Sequence, residues 1–304
     1  MVKGFYLVSV PKNDEELKNK LMEVETFKKL FDDIEMDLMF FEDIIPIVTN
    51  ESNGKILLTD GSEIDCPDFV NVRAFDLGDK QYHLNAVLEM FEGLGVLCIN
   101  SAKTKAITSD KLLTMQIARS VCDYIKIPKT MLLTPEINAA KVGEIIGFPV
   151  VIKVLHGSKG QGISFIETED ELDNLLNMIF AAPFNDQIIA QEAILSSKGR
   201  DLRLILGFGR LIDNFQRVNE GEFVSNIAAG GHVESQDIPD ALVDDALKLA
   251  DAIDLKLGSI DFLYGENDDE FYFCEANSTV GLTSRLNHLD KFRALKDVFS
   301  QFEK

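Results

Sequence analysis

The chain has 304 residues, 46% of them hydrophobic, and a formal net charge of −21. That length and apolar content suit two or three modest lobes with real cores and argue against a disordered chain. The acid excess argues against a nucleic-acid partner, which needs a Lys/Arg stripe. It leaves room for an anionic nucleotide, because a few local cations and a Mg²⁺ can reverse the field at one site.

In chain order, Gly4 to Val10 reads as a short buried strand. Glu15 to Phe31 has helical spacing, with Leu17, Leu21, Val24, Phe27 and Leu30 on one face. Asp37 to Phe41 is a second strand, and Ile56 to Ile64 a hairpin about Asp60-Gly61. Phe69 to Val72 is a buried strand, Tyr82 to Phe91 a helix and Val96 to Ile99 a strand. Strands alternating with helices predict a small open α/β lobe over residues 1–100. From Phe148 the pattern changes to an α+β region with antiparallel sheets.

Ser101 to Tyr124 is helical, with Ser109 as the N-cap of its second half, and Pro135 to Ile146 is a helix opened by its proline. Val150 to Val154 and Ile163 to Ile166 are strands joined by a Gly-rich turn. Glu169 to Phe180 is a helix, and Gln187 to Glu192, Asp201 to Gly207 and Arg210 to Arg217 are strands. A helix over Pro239 to Ile253 precedes the strands Gly258 to Tyr264 and Glu270 to Ala276, and the tail from Gly281 to Phe302 is mostly helical. The cysteines at 66, 98, 122 and 274 lack metal-ligand spacing and sit among apolar neighbours, which predicts buried free thiols. The N-terminal stretch has no signal-peptide pattern and no apolar run reaches a membrane span, so a reducing cytoplasm is the expected setting, without a membrane.

Four constellations carry chemistry. Lys153 ends a strand before His156-Gly157-Ser158-Lys159-Gly160-Gln161-Gly162. Those glycines let backbone N–H groups approach an anion, and a flap folding over phosphates fits better than a P-loop or a dinucleotide turn. A plain Gly-rich hairpin is the alternative. Asp261, Glu275 and Asn277 lie on two strands that can form a hairpin, and two carboxylates with an amide oxygen are hard donors suited to Mg²⁺. Solvated strand-end acids are the alternative. Asp201 and Arg203 share a strand face, where an Asp can bond ribose hydroxyls and an Arg can stabilise a transferring phosphoryl group. A structural ion pair between them is the alternative. Arg217, Ser225-Asn226 and Gly230-Gly231 complete the set, and His156 beside the glycines could touch a ligand.

Together these residues resemble the ATP-grasp superfamily, and most closely its RimK-like branch of carboxylate-amine ligases. The resemblance is carried by Asp110-Lys111-Leu112, Pro149 to Lys153, Gly157 to Gly162, Gln191-Glu192, Gly199-x-Asp201-x-Arg203, Ser225-Asn226, Gly230-Gly231, Asp261 and Glu275-Ala276-Asn277. It implies an ATP-grasp fold: a small N-terminal α/β lobe, a first subdomain bearing the flap and a second bearing the metal site. It implies ATP and Mg²⁺ (or Mn²⁺) as cofactors. Lys111 and Lys153 would contact phosphates, Gln191, Glu192, Ala193 and Ile194 would form the hinge at adenine, and Asp201 would serve the nucleotide. Gly157, Ser158, Gly160, Gly162, Ser225 and Asn226 would line the phosphates. Asp261, Glu275 and Asn277 would hold the metal, and Arg203 and Arg217 would be the electrophilic pair. Arg73, His156, Gly230 and Gly231 would face the substrate.

The family pattern Asn-Ala-Ser-Pro-Gly stands here as Asn277-Ser278-Thr279-Val280-Gly281, its basic residue before Ser-Asn is Val224, and its paired arginines become Gln216-Arg217. The implied activity is amide-bond formation through an acyl-phosphate, with an amino acid, a peptide or carrier protein, or a small molecule as substrate, and a homo-oligomer by analogy. Phosphoryl transfer, thioester formation and an ATP-binding module without turnover are the rival readings.

Overall fold

A computed structural model describes residues 2–11, 13–31, 34–50, 55–74, 80–155, 162–181, 187–219, 232–234 and 236–281. The strands Val2–Val8 (β1), Ile34–Phe40 (β2), Phe69–Val72 (β5) and Leu97–Ile99 (β6) form a parallel sheet in the order β2-β1-β5-β6. Parallel neighbours need crossovers. The helix Asp14–Leu30 (α1) joins β1 to β2, and Gln81–Gly93 (α2) lies between β5 and β6. Asn13 caps α1 by accepting from the Glu16 amide at 2.9 Å.

One face of this sheet buries Phe5, Leu7, Val70 and Val72 against Leu84, Val87, Leu88 and Phe91 of α2. The other packs Tyr6 and Val8 on Val24 and Phe27 of α1 and on Ile205, Phe215 and Leu257 farther along the chain. Leu21, expected on the buried face of α1, is exposed, because Lys20, Val24 and Phe27 set the inward stripe. Lys55–Leu58 (β4) pairs with Ile44–Ile47 (β3), a strand that Pro46 hides from periodicity. The expected return after Asp60-Gly61 is a single bridge, Leu57 to Glu63.

The expected long helix after Ser101 is two: Ala102–Ser109 (α3), capped by Ser101, and Lys111–Val121 (α4), capped by Asp110 rather than Ser109. Asp110 accepts from the Leu113 amide at 2.9 Å and so restarts the helix. Likewise Ala139–Ile145 (α5) starts at Asn138, whose side chain accepts from the Lys141 amide at 2.9 Å; Pro135 lies in the preceding turn.

A second, antiparallel sheet runs Thr130–Leu133 (β7), Ile188–Glu192 (β10), Val150–Val154 (β8), Ile163–Ile166 (β9). Its core joins Val150, Ile152, Ile188 and Ala190 to α5 and to Leu172 and Leu176 of the helix Glu169–Phe180 (α6).

The third sheet, also antiparallel, has the order His232–Glu234 (β13), Arg210–Val218 (β12), Arg200–Gly207 (β11), Leu257–Tyr264 (β14), Phe271–Asn277 (β15). Its two faces follow from alternation. Leu202, Leu204, Leu206, Ile260 and Phe262 point at α4 and at the helix Asp240–Ala252 (α7). The intervening residues, Asp201, Arg203 and Asp261, lie on the opposite face, where Asp201 lines a cleft between this sheet and the second.

The expected tail helix lies outside the described residues. Cys98 is buried as expected, Cys122 and Cys274 are half-buried, and Cys66 is exposed because it follows β4 in an irregular stretch at the surface. No helix among the described residues is long and apolar enough to cross a membrane.

Candidate active site

A cleft open to solvent lies between the second and third sheets. Val151 and Ile163 form one apolar wall and Ile194, Leu263 and Cys274 the other; Lys153, Gln191, Glu192, Ser197, Lys198, Arg200 and Asp201 supply polar groups. Apolar side chains beside charged and amide groups suit a nucleotide base attached to phosphates.

Lys153 lies in the middle of its sheet, opposite Ile189 on β10, and is 9% exposed. Its Nζ donates to Gln191 Oε1 at 2.6 Å, and Gln191 Nε2 donates to Thr130 Oγ1 at 2.9 Å. This chain across three strands fixes the ammonium without neutralising it. Lys111 Nζ donates to the Leu155 carbonyl at 3.2 Å, which brings a second cation to the end of β8. Gly162 opens β9 with φ of 73°, and a Cβ there would meet Val154 Cγ2 at 2.5 Å, so only glycine closes this hairpin. Glu192 accepts from the Lys129 amide at 3.1 Å, and its own amide donates to the Lys129 carbonyl at 2.8 Å, which fixes the backbone entering Ala193 and Ile194.

Beneath Asp201, which lines the cleft, runs a cross-strand ion network. Arg203 grips Asp261 with two bonds, Nε to Oδ1 at 2.8 Å and Nη2 to Oδ2 at 2.5 Å. Arg217 grips Asp201 through Nε at 2.6 Å and through Nη2, and also donates to Asp261 Oδ2 at 2.8 Å. The same-strand pair of Asp201 with Arg203 does not form, because each finds its register partner on the next strand: Asp201 faces Arg217, and Arg203 faces Asp261. Burial pushes the Asp261 carboxyl up, but the two arginines outweigh it and hold the group below the usual carboxylate range. For Asp201, burial outweighs Arg217 and the carboxyl is raised.

Asp261 stands directly opposite Glu275, and Asn277 opposite Ser259. Between Asp261 and Phe262 the register shifts, leaving Cys274 without a cross-strand partner. This bulge lets Cys274 line the cleft while Glu275 and Asn277 stay on the Asp261 face. Asn277 Nδ2 donates to Glu275 Oε1 at 3.3 Å, and both side chains are half-buried. Burial, chiefly, lifts the Cys274 thiol to about 12, so it is an inert wall. At Gly258 a Cβ would meet the Asn277 carbonyl at 2.4 Å, so this glycine lets β15 approach closely where the donors sit.

No cluster of three His, Cys, Asp or Glu side chains able to hold a metal occurs among the described residues. The set here is two carboxylates and an amide. It fits Mg²⁺, which keeps waters and takes phosphate oxygens for its remaining ligands. Asp261 stays ionised but is fully buried, with both oxygens accepting from Arg203 and Arg217, and Glu275 and Asn277 are half-buried on the same face of the sheet.

Arg73 lies away from this network, at the end of β5 in the N-terminal lobe, 8% exposed and donating from Nε to Tyr6 Oη at 3.1 Å. His156, Gly157, Ser158, Gly160, Ser225, Asn226, Gly230 and Gly231 lie outside the described residues. The sequence reading missed Ser197, Lys198, Arg200 and Leu263 as cleft residues. The Lys198-Gly199-Arg200 run before Asp201 was the available signal for two of them; the others carry none.

A family model for the RimK-like ATP-grasp domain matches residues 108–291. A probable alpha-L-glutamate ligase of Rhodopirellula baltica is 29% identical over 203 residues, 66% of this chain and 49% of that protein. A ribosomal protein bS6–L-glutamate ligase of Escherichia fergusonii is 30% identical over 204 residues, 66% of each chain. The chain thus spans about half the length of the first of these relatives and two-thirds of the second. The solved structure of the ATP-grasp ligase PsnB complexed with minimal precursor, Mg and ADP superposes with a TM-score of 0.69 at 16% identity, over 99% of this chain and 98% of that one, which shows a shared fold.

Proposed function

Because the chain belongs to the RimK-like ATP-grasp family, we propose that it joins a carboxylate to an amine through an acyl-phosphate, with ATP converted to ADP and phosphate. The observation that carries this reading is the cleft itself: a buried lysine on one sheet and, on another, an aspartate tied into an arginine–carboxylate network line the same cleft. Adenine would lie between Val151, Ile163, Ile194 and Leu263, beside the backbone of Glu192 and Ala193. Lys153 and Lys111 would bind the phosphates, as would Ser158 and the glycines of the 157–162 segment, Ser225 and Asn226. Asp261, Glu275 and Asn277 would hold Mg²⁺, which when bound neutralises phosphate charge.

A carboxylate oxygen of the substrate attacks the γ-phosphorus; the new P–O bond forms as the bond to ADP breaks. The neutral amine attacks the carbonyl carbon; the C–O bond to phosphate breaks with its electron pair going to phosphate, and the nitrogen gives up a proton to the departing phosphate, leaving the amide. Carboxylates react poorly with amines at neutral pH, so this activation is the purpose of the nucleotide. Arg203, 22% exposed at its side chain, is the better placed of the two arginines to meet the developing oxyanion; Arg217, at 11%, mainly holds Asp201 and Asp261.

On this reading residues 1–100 form the acceptor-side lobe, 101–190 the first grasping subdomain and 191–304 the second. The names of the relatives support an amino acid as amine and a protein or peptide as one acceptor class. Gly230, Gly231, His156 and Arg73 would face that substrate. Glu275→Ala and Asn277→Ala are expected to lower substrate-dependent ADP release at least about a hundredfold, since several kcal/mol of charge stabilisation go with the metal. Wild-type turnover in either variant would remove the metal assignment.

A further inference from the structure

A second group of buried cations lies apart from the nucleotide cleft, where the N-terminal lobe meets the third sheet. Lys105 on α3 is 5% exposed. Its Nζ donates to the Ala74 carbonyl at 2.9 Å and to Thr279 Oγ1 at 3.3 Å. Ala74 follows Arg73 at the carboxyl end of β5, and Thr279 follows the donor-bearing end of β15 by two residues. Lys105 therefore bridges the lobe and the catalytic sheet.

Charge balance around Lys105 is incomplete. Arg73 has Glu23 at 3.7 Å, and Lys20 has Glu16 at 3.6 Å. Among the described residues no carboxylate pairs with Lys105. A buried ammonium held only by neutral oxygens is costly. Burial, and then repulsion from Arg73, brings its pKa down to about 7.

Donors are also in excess. Asn71 is 1% exposed and its Nδ2 has no hydrogen-bond partner. Asn71 pairs in register with Tyr6 and sits two residues before Arg73, so Asn71, Tyr6 and Arg73 share one face of the parallel sheet. Tyr6 Oη is engaged by both Arg73 and Glu23. An unpaired amide donor, a guanidinium and an unpaired ammonium thus gather at the carboxyl ends of β1 and β5. In open parallel sheets that is where ligands bind. Glu23 answers Arg73 and Tyr6, but among the described residues no carboxylate answers Lys105.

We propose that Lys105, with Arg73 and Asn71, forms a carboxylate-binding subsite that recognises an anionic group of the substrate and makes Lys105 a specificity-determining residue. A carboxylate is the class favoured over phosphate, because the single uncompensated charge matches a single negative charge. Its identity as a substrate group rests on the ligase reading; the existence of the anion site does not. The link through Thr279 sets the subsite close to the end of β15, so a substrate anchored there has its reactive end near Glu275 and Asn277.

The test uses the full chain and Lys105→Gln, which keeps a donor toward Ala74 and Thr279 but removes the charge. Acetate, glutarate, L-glutamate and inorganic phosphate are titrated against each by calorimetry, and ATP with Mg²⁺ is titrated separately. Wild type is expected to bind at least one carboxylate, more tightly than phosphate, and Lys105→Gln to bind it at least about tenfold more weakly, the loss of one charge-assisted bond. Its Tm should stay within about 2 °C of wild type, and its ATP affinity should be unchanged. Lys105→Met serves as the second uncharged variant if the glutamine does not fold. The subsite is overturned if no carboxylate binds the wild type, if phosphate binds more tightly, or if the uncharged variant keeps carboxylate affinity within twofold. Failure of ATP to bind the wild type would instead overturn the ligase reading and leave the subsite standing.

Discussion

Asp261 is fully buried yet ionised because two guanidiniums surround it, and Asp201 is buried beside one. Removing one partner of such a network leaves a charge without compensation. Arg217→Ala should therefore destabilise the protein by about 3–5 kcal/mol, visible as a lower midpoint in urea unfolding, because it strands Asp201. Arg203→Ala should cost less stability, since its guanidinium is the more exposed and Asp261 keeps Arg217; its effect belongs in kcat. Equal stability losses from the two would show that the arginines share one structural duty. The residue types in this network were legible in the sequence, and their pairing was not. A strand pattern says which residues share a face, whereas the partner of Asp201 depends on the register between β11 and β12: the turn at Phe208 and Gly209 alone would bring Gln216 opposite, and the bulge between Ile205 and Leu206 shifts the pairing by one to Arg217. Lys105 was invisible for a related reason: a lysine on a short helix reads as surface until the lobe that covers it is placed.

Single side chains also set how elements dock. Asp245 on α7 accepts from the Tyr124 amide at 2.6 Å and the Ile125 amide at 3.0 Å, and Lys248 Nζ lies 3.0 Å from its other oxygen. It thereby fastens the segment between α4 and β7 to α7. Burial alone would raise its carboxyl, but the backbone donors and Lys248 outweigh it and hold the pKa below its ordinary value. A depressed folded-state pKa contributes stability above the unfolded value of about 3.9, and that contribution disappears as pH falls through the folded value. Asp245→Asn should thus lower stability at pH 7 by about 1–3 kcal/mol and flatten the acid side of the stability–pH curve. A variant curve parallel to wild type below pH 4 would contradict this account.

At this scale the sequence was most informative. The bounds of β8, β9 and α6 follow directly from apolar runs, a Gly-rich turn and the Thr168 cap. Helix breaks at Asp110 and Asn138 were misread because Ser109 and Pro135 are equally good signals one to three residues earlier. The Cys274 bulge leaves no trace in composition.

For the whole molecule, one polar side chain holds the lobes in register. Asn100 Nδ2 donates to the carbonyls of Leu257 and Ser278, both at 2.7 Å, and its Oδ1 accepts from the Lys256 amide at 2.7 Å. Around it Tyr6, Phe27 and Ile99 pack on Ile205, Phe215 and Leu257. This seam brings Lys105 within hydrogen-bond reach of both Ala74, beside Arg73, and Thr279, just past the end of β15. The division into an open α/β lobe and later antiparallel sheets was legible from alternating strands and helices; the seam was not, since Ile205 and Leu257 look like ordinary strand residues until two sheets meet.

The central claim is that this architecture activates a carboxylate with ATP and passes it to an amine. Its most direct test is to incubate the protein with ATP, Mg²⁺ and a panel of carboxylates, first with hydroxylamine and then with amino acids as the amine, while measuring ADP, AMP, hydroxamate and amide together. The account predicts carboxylate-dependent ADP release, hydroxamate in equal amount when hydroxylamine is present, and one amide per ADP with the true amine. ADP released at the same rate without any carboxylate, or AMP and pyrophosphate in its place, would contradict it.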